Sequence, residues 1–132
     1  DLTESAEGSN VREDLQTSLS FGSATSFNFS NKTQLLANTP GYYRVLGTIF
    51  NVTGTGNTGS ATIQVTDGTT TKNLFGINFI GSSTATGNAY PFDINVFIKA
   101  GESIQGVSPK GSDVFLGSTR QIADIDGNLV NP

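Results

Sequence analysis

The sequence contains no cysteine, histidine, methionine or tryptophan. Without cysteine it cannot form a disulfide scaffold, and without cysteine or histidine it lacks the ligands of the usual zinc sites. The absence of histidine also removes the side chain that most often serves as a general base near neutral pH. The familiar hydrolytic triads are therefore excluded, and we expect no metal and no cofactor.

Charge is also scarce. Charged residues make up 14% of the chain, against roughly a quarter in typical globular proteins. The net charge is -4, and the seven basic residues are scattered singly along the sequence, so no basic stripe is available to follow a phosphate backbone. No apolar run approaches the roughly 20 residues of a membrane span. We therefore expect neither a nucleic acid nor a membrane as partner.

What the sequence does contain is typical of β-sheets joined by turns. It has 16 glycines and nine phenylalanines, with many threonine, serine and asparagine residues between them. A chain of 132 residues is of the usual size for one domain. Residues 1–18 are acidic and have little apolar periodicity, which predicts an extended N-terminal arm. Residues 19–132 are predicted to form an all-β antiparallel sandwich.

Apolar residues alternate with polar ones over most of residues 19–132. This period of two residues is typical of half-buried strands. Leu19, Phe21, Phe27 and Phe29 share one phase. Residues 42–52 are apolar in both phases, which predicts a central strand or a strand at a subunit contact. Further strands are predicted at residues 61–65, 72–80, 90–99, 103–108, 114–116 and 121–125.

Turn residues separate these segments about every ten residues. Asp67 and Gly68 predict a hairpin between residues 61–65 and 72–80, because both tolerate the positive φ of such turns. A glycine-, serine- and threonine-rich loop is predicted at residues 81–88. About seven to nine short strands with this punctuation favour a two-sheet sandwich or jelly roll.

Two local motifs resemble ligand sites and are interpreted as loops. Residues 54–59 match the G-x-G-x-x-G pattern, but they lead into an alternating strand rather than the helix that phosphate binding requires. Residues 124–128 begin like a calcium loop with Asp124 and Asp126, but the acidic ligand expected further on is missing. A terminal turn is the simpler interpretation, and a weak calcium site shared with a neighbouring chain is the alternative.

Catalysis would have to depend on carboxylates alone. Asp93, Glu102 and Asp113 are the candidates for a pair of the glycosidase type. Each lies beside a turn or on the polar phase of a strand, where solvated carboxylates are common. We therefore expect that the protein is not an enzyme.

The order of turns and strands resembles the trimeric jelly roll of the tumour necrosis factor and complement globular-head superfamily. The resemblance covers roughly residues 20–118. It depends on Gly41-Tyr42 at the start of a strand and on Gly101-Glu102 with Ile104 after a late apolar strand. It implies a jelly roll that assembles as a homotrimer. The C-terminal Phe-Ser-Gly-Phe-type strand of the animal members is absent.

Size and composition are also similar to those of phage capsid decoration proteins and head-fibre or spike tips. This resemblance implies a non-enzymatic virion structural protein at the capsid surface, whose partners are copies of itself and the major capsid protein. The arm would then attach the domain to the capsid. The segment expected to dock there is Val11, Arg12, Glu13, Asp14 and Leu15.

Aromatic residues exceed what the core of one small sandwich needs, which indicates a second buried surface. A homotrimer would bury that excess. The residues expected at the trimer interface are Tyr42, Tyr43, Phe50 and Phe97. The alternative function is an extracellular or cell-surface module of the adhesin type that binds a carbohydrate or receptor, for instance a host surface glycan, with Tyr90 as the candidate ligand-binding residue.

Overall fold

Eight β-strands make up the fold. The computed structural model describes residues 24–54 and 58–130. In chain order the strands are β1 (Ala24–Ser30), β2 (Lys32–Ala37), β3 (Gly41–Thr53), β4 (Gly59–Thr66), β5 (Thr71–Phe79), β6 (Thr86–Ile98), β7 (Ser103–Ser108) and β8 (Asp113–Ala123).

The strands form two four-stranded antiparallel sheets. The first sheet has the order β1-β8-β3-β6 and the second has the order β2-β7-β4-β5. Most strands thus pair with strands distant in sequence, which is the connectivity of an eight-stranded jelly roll. The prediction of an all-β sandwich is confirmed, and so is the prediction that residues 42–52 form a central strand, because β3 lies between β8 and β6.

The core lies between the two sheets and is built from alternate residues of each strand. Phe29 stacks on Phe115 with ring centroids 4.7 Å apart, and Phe27 stacks on Phe92 at 6.4 Å. The buried apolar residues of the core are Phe27, Phe29, Leu36, Tyr43, Val45, Ile49, Ala61, Ile63, Phe79, Phe92, Ile98, Ile104 and Phe115.

The hairpin expected at Asp67 and Gly68 is confirmed, because β4 pairs directly with β5. Gly68 has a φ of 94°, a conformation that favours glycine. The Asp67 carboxylate accepts hydrogen bonds from the backbone N–H groups of Thr70 at 2.6 Å and Thr69 at 2.8 Å. These bonds stabilise the charged form and lower the pKa of Asp67.

The prediction of two separate strands at residues 114–116 and 121–125 is wrong. The structure has one continuous strand, β8, because the small residues from Gly117 to Thr119 belong to the sheet rather than to a turn. Gly117 is opposite Gly47 of β3, where a Cβ on either glycine would meet a backbone oxygen at 2.2 Å. Glycine is required there by the close approach of two strands.

A second difference concerns β2, which the alternation did not predict. Asn31 separates it from β1 with a φ of 54° and so directs the chain from the first sheet to the second. The Asn31 backbone N–H donates to Ser108 Oγ at 2.9 Å. The predicted loop at residues 81–88 is also too long, because β6 begins at Thr86.

Some predictions lie outside the described residues. These are the arm at residues 1–18, the strand positions Leu19 and Phe21, and residues 55–57 of the glycine-rich loop. Within the part of the chain that the structure describes, no helix is long and apolar enough to cross a membrane.

Candidate functional site

Six large apolar side chains are exposed on the side of the first sheet that faces away from the core. Their exposed fractions lie between 37% and 49%. We call this surface the outer apolar face. It consists of Tyr42, Leu46, Phe50 and Val52 of β3, Phe97 of β6 and Leu116 of β8.

The second sheet has a different outer surface. Its outward residues include Ser60 and Thr62 of β4 and Gln105 of β7. Among the strand residues that the structure describes there, Leu35 of β2 is the one large apolar side chain with more than a third of its surface exposed. An antiparallel sheet usually has one core face and one polar face. The second sheet follows that rule and the first does not, which indicates a surface that another molecule covers.

A bidentate ion pair lies within the outer apolar face. Arg44 Nε donates to Asp93 Oδ1 at 2.9 Å, and a terminal guanidinium nitrogen donates to Oδ2 at 2.6 Å. The hydrogen bonds and the opposite charge lower the pKa of Asp93 and raise that of Arg44. Both side chains are half exposed, so solvent screens the pair and it adds little to the stability of the subunit.

Arg120 gives this surface an excess of positive charge. It is directly opposite Arg44 in the register of β8 and β3, and like charges in that position are unfavourable. The Arg120 Nε is buried and has no hydrogen-bond partner among the described residues. The described part of this face thus has two guanidinium groups and one carboxylate, Asp93, which is paired with Arg44.

An open apolar groove lies at one end of the outer apolar face. The rings of Tyr42 and Phe97 are 4.6 Å apart there. The groove has a volume of about 560 Å³, and its lining residues are Tyr42, Tyr43, Asn95, Val96, Phe97, Ile122, Ala123 and Gly127.

A buried polar pair lies between β3 and β8, on the core side of the first sheet. Asn51 Nδ2 donates to Asp113 Oδ1, and both residues are almost fully buried. Ser108 Oγ donates to the Asp113 backbone carbonyl at 2.5 Å. Among the described residues, Asp113 Oδ2 and Asn51 Oδ1 find no hydrogen-bond partner although both are buried. Burial raises the pKa of Asp113, against the opposing effects of the Asn51 hydrogen bond and the Lys110 charge.

This shift predicts a dependence of stability on pH. Since the pKa of Asp113 is higher in the folded than in the unfolded state, its stabilising effect is complete below the unfolded value of 3.8 and is lost as the pH rises through the folded value. The variant Asp113→Asn keeps an acceptor for Asn51 and carries no charge. We expect its urea midpoint to vary less across that pH range and to exceed the parent's at pH 7. An equal pH dependence in both proteins would contradict this assignment.

The structure places the remaining acidic candidates at separate positions. Asp93 is on the outer apolar face, Asp113 is buried on the opposite side of the sheet, and Glu102 Oε1 accepts from the Lys99 backbone N–H at 2.7 Å in the turn between β6 and β7. Asp124 accepts from the backbone N–H groups of Asp126 and Asn128 and closes a turn. Within residues 24–54 and 58–130, no group of three acidic residues is arranged to hold a metal ion.

The structure separates the four aromatic residues expected at a subunit contact. Tyr42, Phe50 and Phe97 lie on the outer apolar face. Tyr43 lies in the core with 6% exposure, and its hydroxyl donates to the Thr39 carbonyl at 2.7 Å.

The structure does not test the predicted roles of Tyr90 or of the segment from Val11 to Leu15. Tyr90 lies within β6, on the inward phase and partly exposed, rather than in the preceding loop, and its role in ligand binding stays a prediction. The segment from Val11 to Leu15 lies outside the described residues.

Sequence reasoning missed three of the six members of this face, namely Leu46, Val52 and Leu116, and it also missed the neighbouring Arg120. Leu46 was detectable, because it shares the phase of Tyr42 and Phe50 in the same strand. Leu116 and Arg120 were not, because the segment that carries them was interpreted as two short strands with a turn between them. The pairing of β8 with β3 brings both residues to the surface.

Comparison with known proteins gives one consistent result. No family model and no curated protein matches the sequence. Among the solved structures that match it, two are crystal structures described as a pentameric capsid protein isolated from metagenomic phage sequences. Both are 39% identical to this chain and cover all of it. One has a TM-score of 0.74 with 86% of its own length covered, and the other has a TM-score of 0.76 with 80% covered.

Proposed function

Since this chain belongs to the same family as those phage capsid proteins, we propose that it is a non-enzymatic structural protein of the virion and that five copies form a ring. The outer apolar face is the main observation behind this proposal. It groups six exposed apolar side chains on one sheet, whereas the outer surface of the second sheet is mostly polar. The proposed contact residues include Tyr42, Phe50 and Phe97.

The size of the face suits a stable contact. The longest strands, β3 and β6, have 13 residues each. At about 3.3 Å per residue and about 4.8 Å between strands, four strands give a surface of roughly 600–800 Å². A standard protein interface buries about 800 Å² on each partner. One such face per subunit is therefore large enough for specific assembly.

Five-fold symmetry replaces the three-fold symmetry implied by the resemblance to the tumour necrosis factor and complement superfamily. Neither the trimer nor membership of that superfamily finds support in the matched structures, which are described as pentameric. In a five-membered ring each subunit contributes two different surfaces to its contacts. The outer apolar face would be one of them.

Within the virion we propose a decorating role in which the major capsid protein lies beneath the ring. The described residues form a single sandwich, without the repeated strands that lengthen a fibre shaft. The segment from Val11 to Leu15 stays the proposed docking segment of each subunit.

The test of this proposal is the solution mass of the full chain. We expect light scattering to give a mass near five chains of 13.8 kDa each, over a range of protein concentrations. A mass near three chains would restore the trimer. A single chain at the highest concentration would contradict assembly through this surface.

A further inference from the structure

We propose that residues 11–21 of one copy lie across the outer apolar face of the neighbouring copy, where their carboxylates pair with Arg120 and their apolar side chains fill the groove. This inference depends on the ring proposed above, and it assigns the docking segment to a second copy of this chain in place of the major capsid protein.

Charge is the first argument. Five of the eleven acidic residues and one of the seven basic residues lie within residues 1–18, so this segment carries the whole net charge of -4. The rest of the chain is neutral. Among the described residues of the outer face, Arg120 is the guanidinium without a carboxylate of its own, since Asp93 is already paired with Arg44. Glu13 and Asp14 would supply that partner.

Apolar complementarity is the second argument. The groove exposes the rings of Tyr42 and Phe97 at one end of the face. Residues 11–21 contain four apolar side chains among polar ones, and Glu13 and Asp14 lie between the first two of them. The four are Val11, Leu15, Leu19 and Phe21. A segment that is both acidic and apolar matches a surface that is both basic and apolar.

Position is the third argument. Ala24, the first described residue, is opposite Arg120 in the register of β1 and β8. The chain therefore enters β1 at the end of the sheet where the groove lies. Val11, the far end of the proposed segment, is 13 residues before Ala24 and can therefore lie at most about 45 Å from it, whereas a domain of about 100 residues has a radius of gyration of about 13 Å. The segment is long enough to reach the same site on an adjacent subunit.

Ring symmetry favours the neighbour over the segment's own subunit. A contact in a five-membered ring joins two unlike surfaces. The outer apolar face needs a partner of different composition, and residues 11–21 supply one of opposite charge.

The chain has no native cysteine, so a pair of introduced cysteines reports on this contact cleanly. Copies that carry Thr17→Cys, labelled with ¹⁵N, are mixed in the unfolded state with unlabelled copies that carry Asn95→Cys, refolded together and oxidised. Asn95 lines the groove and is exposed. We expect mass spectrometry to find the labelled peptide that spans position 17 joined by a disulfide to the unlabelled peptide that spans position 95. The matched control is Asn73→Cys, an exposed asparagine of the second sheet, which should link at least about tenfold less.

Charge reversal tests the ionic part of the contact. Arg120→Glu is expected to lower the yield of the link several-fold, and Glu13→Arg with Asp14→Arg is expected to restore it in the same protein. Arg120→Gln, which removes the charge without adding a carboxylate, should have a smaller effect. Lys72→Glu on the second sheet is the control and should leave the yield unchanged.

Other outcomes overturn the inference in distinguishable ways. A chain carrying both Thr17→Cys and Asn95→Cys that links only within itself would assign the segment to its own subunit. The absence of any link in a protein that keeps the mass of five chains would exclude this docking and leave the ring intact, which points to the major capsid protein as the partner. A single-chain mass would remove the ring and the inference together.

Discussion

The Phe50→Lys protein is expected to be a folded single chain at concentrations where the parent forms a ring. Phe50 is 40% exposed, and its cross-strand neighbours on the outer face are Val114 and Ala89, so no carboxylate is in register with the new ammonium group. Burying an unpaired charge in an apolar contact costs several kcal/mol. We expect association to weaken by at least about 100-fold, measured by light scattering over a concentration series.

The matched control is Leu35→Lys. Leu35 is 52% exposed, but it lies on β2 of the second sheet, whose outer surface is polar. This protein should keep the mass of five chains. Circular dichroism and urea unfolding should show both variants folded, because neither side chain is part of the core. If Phe50→Lys kept the parent's mass, the outer apolar face would not be the contact surface. If both variants lost the mass of five chains, the effect would not be specific to that face.

The sequence predicted the features that depend on local chemistry. The hairpin at Asp67 and Gly68 follows from two adjacent residues that tolerate a turn, and the structure confirms it. The central position of β3 follows from apolar residues in both phases. Both signals lie within a single segment, so one sequence contains all that is needed to detect them.

Features that depend on distant partners were beyond sequence reasoning. The continuity of β8 requires the close approach of Gly117 to Gly47, which lies 70 positions earlier in the chain. The pairing of Arg44 with Asp93 depends on the register between β3 and β6. The segment around Gly117 has the composition of a turn, and the partner strand decides that it is part of the sheet.

The candidate surface was predictable only in part, for the same reason. Alternation places Tyr42 and Phe50 on one side of β3, but it does not say which side faces the core. Tyr43 looked equivalent to Tyr42 in composition and proved to be buried. The number of subunits in a ring depends on the angle between neighbouring copies, and no pattern within one chain reports that angle.

The largest effect on subunit stability is expected from Phe115→Ala. Phe115 is fully buried and stacks on Phe29 with ring centroids 4.7 Å apart. Truncation of a buried phenylalanine typically costs about 3–5 kcal/mol, because it removes apolar burial and leaves a cavity. A domain of this size is stable by about 5–15 kcal/mol, so at least about a fifth of the free energy of unfolding would be lost.

The comparison that isolates this effect is Leu116→Ala, the next residue of β8. Leu116 is 37% exposed on the outer apolar face, so its truncation should lower the free energy of unfolding by about 1 kcal/mol or less. Both changes are best made in the single-chain Phe50→Lys protein and compared by urea unfolding, since subunit dissociation then does not contribute. In the parent protein, Leu116→Ala should weaken assembly of the ring although the subunit stays folded. Equal losses of subunit stability would mean that the two faces of β8 are buried alike, which would remove the distinction between core and contact surface on which the assembly proposal depends.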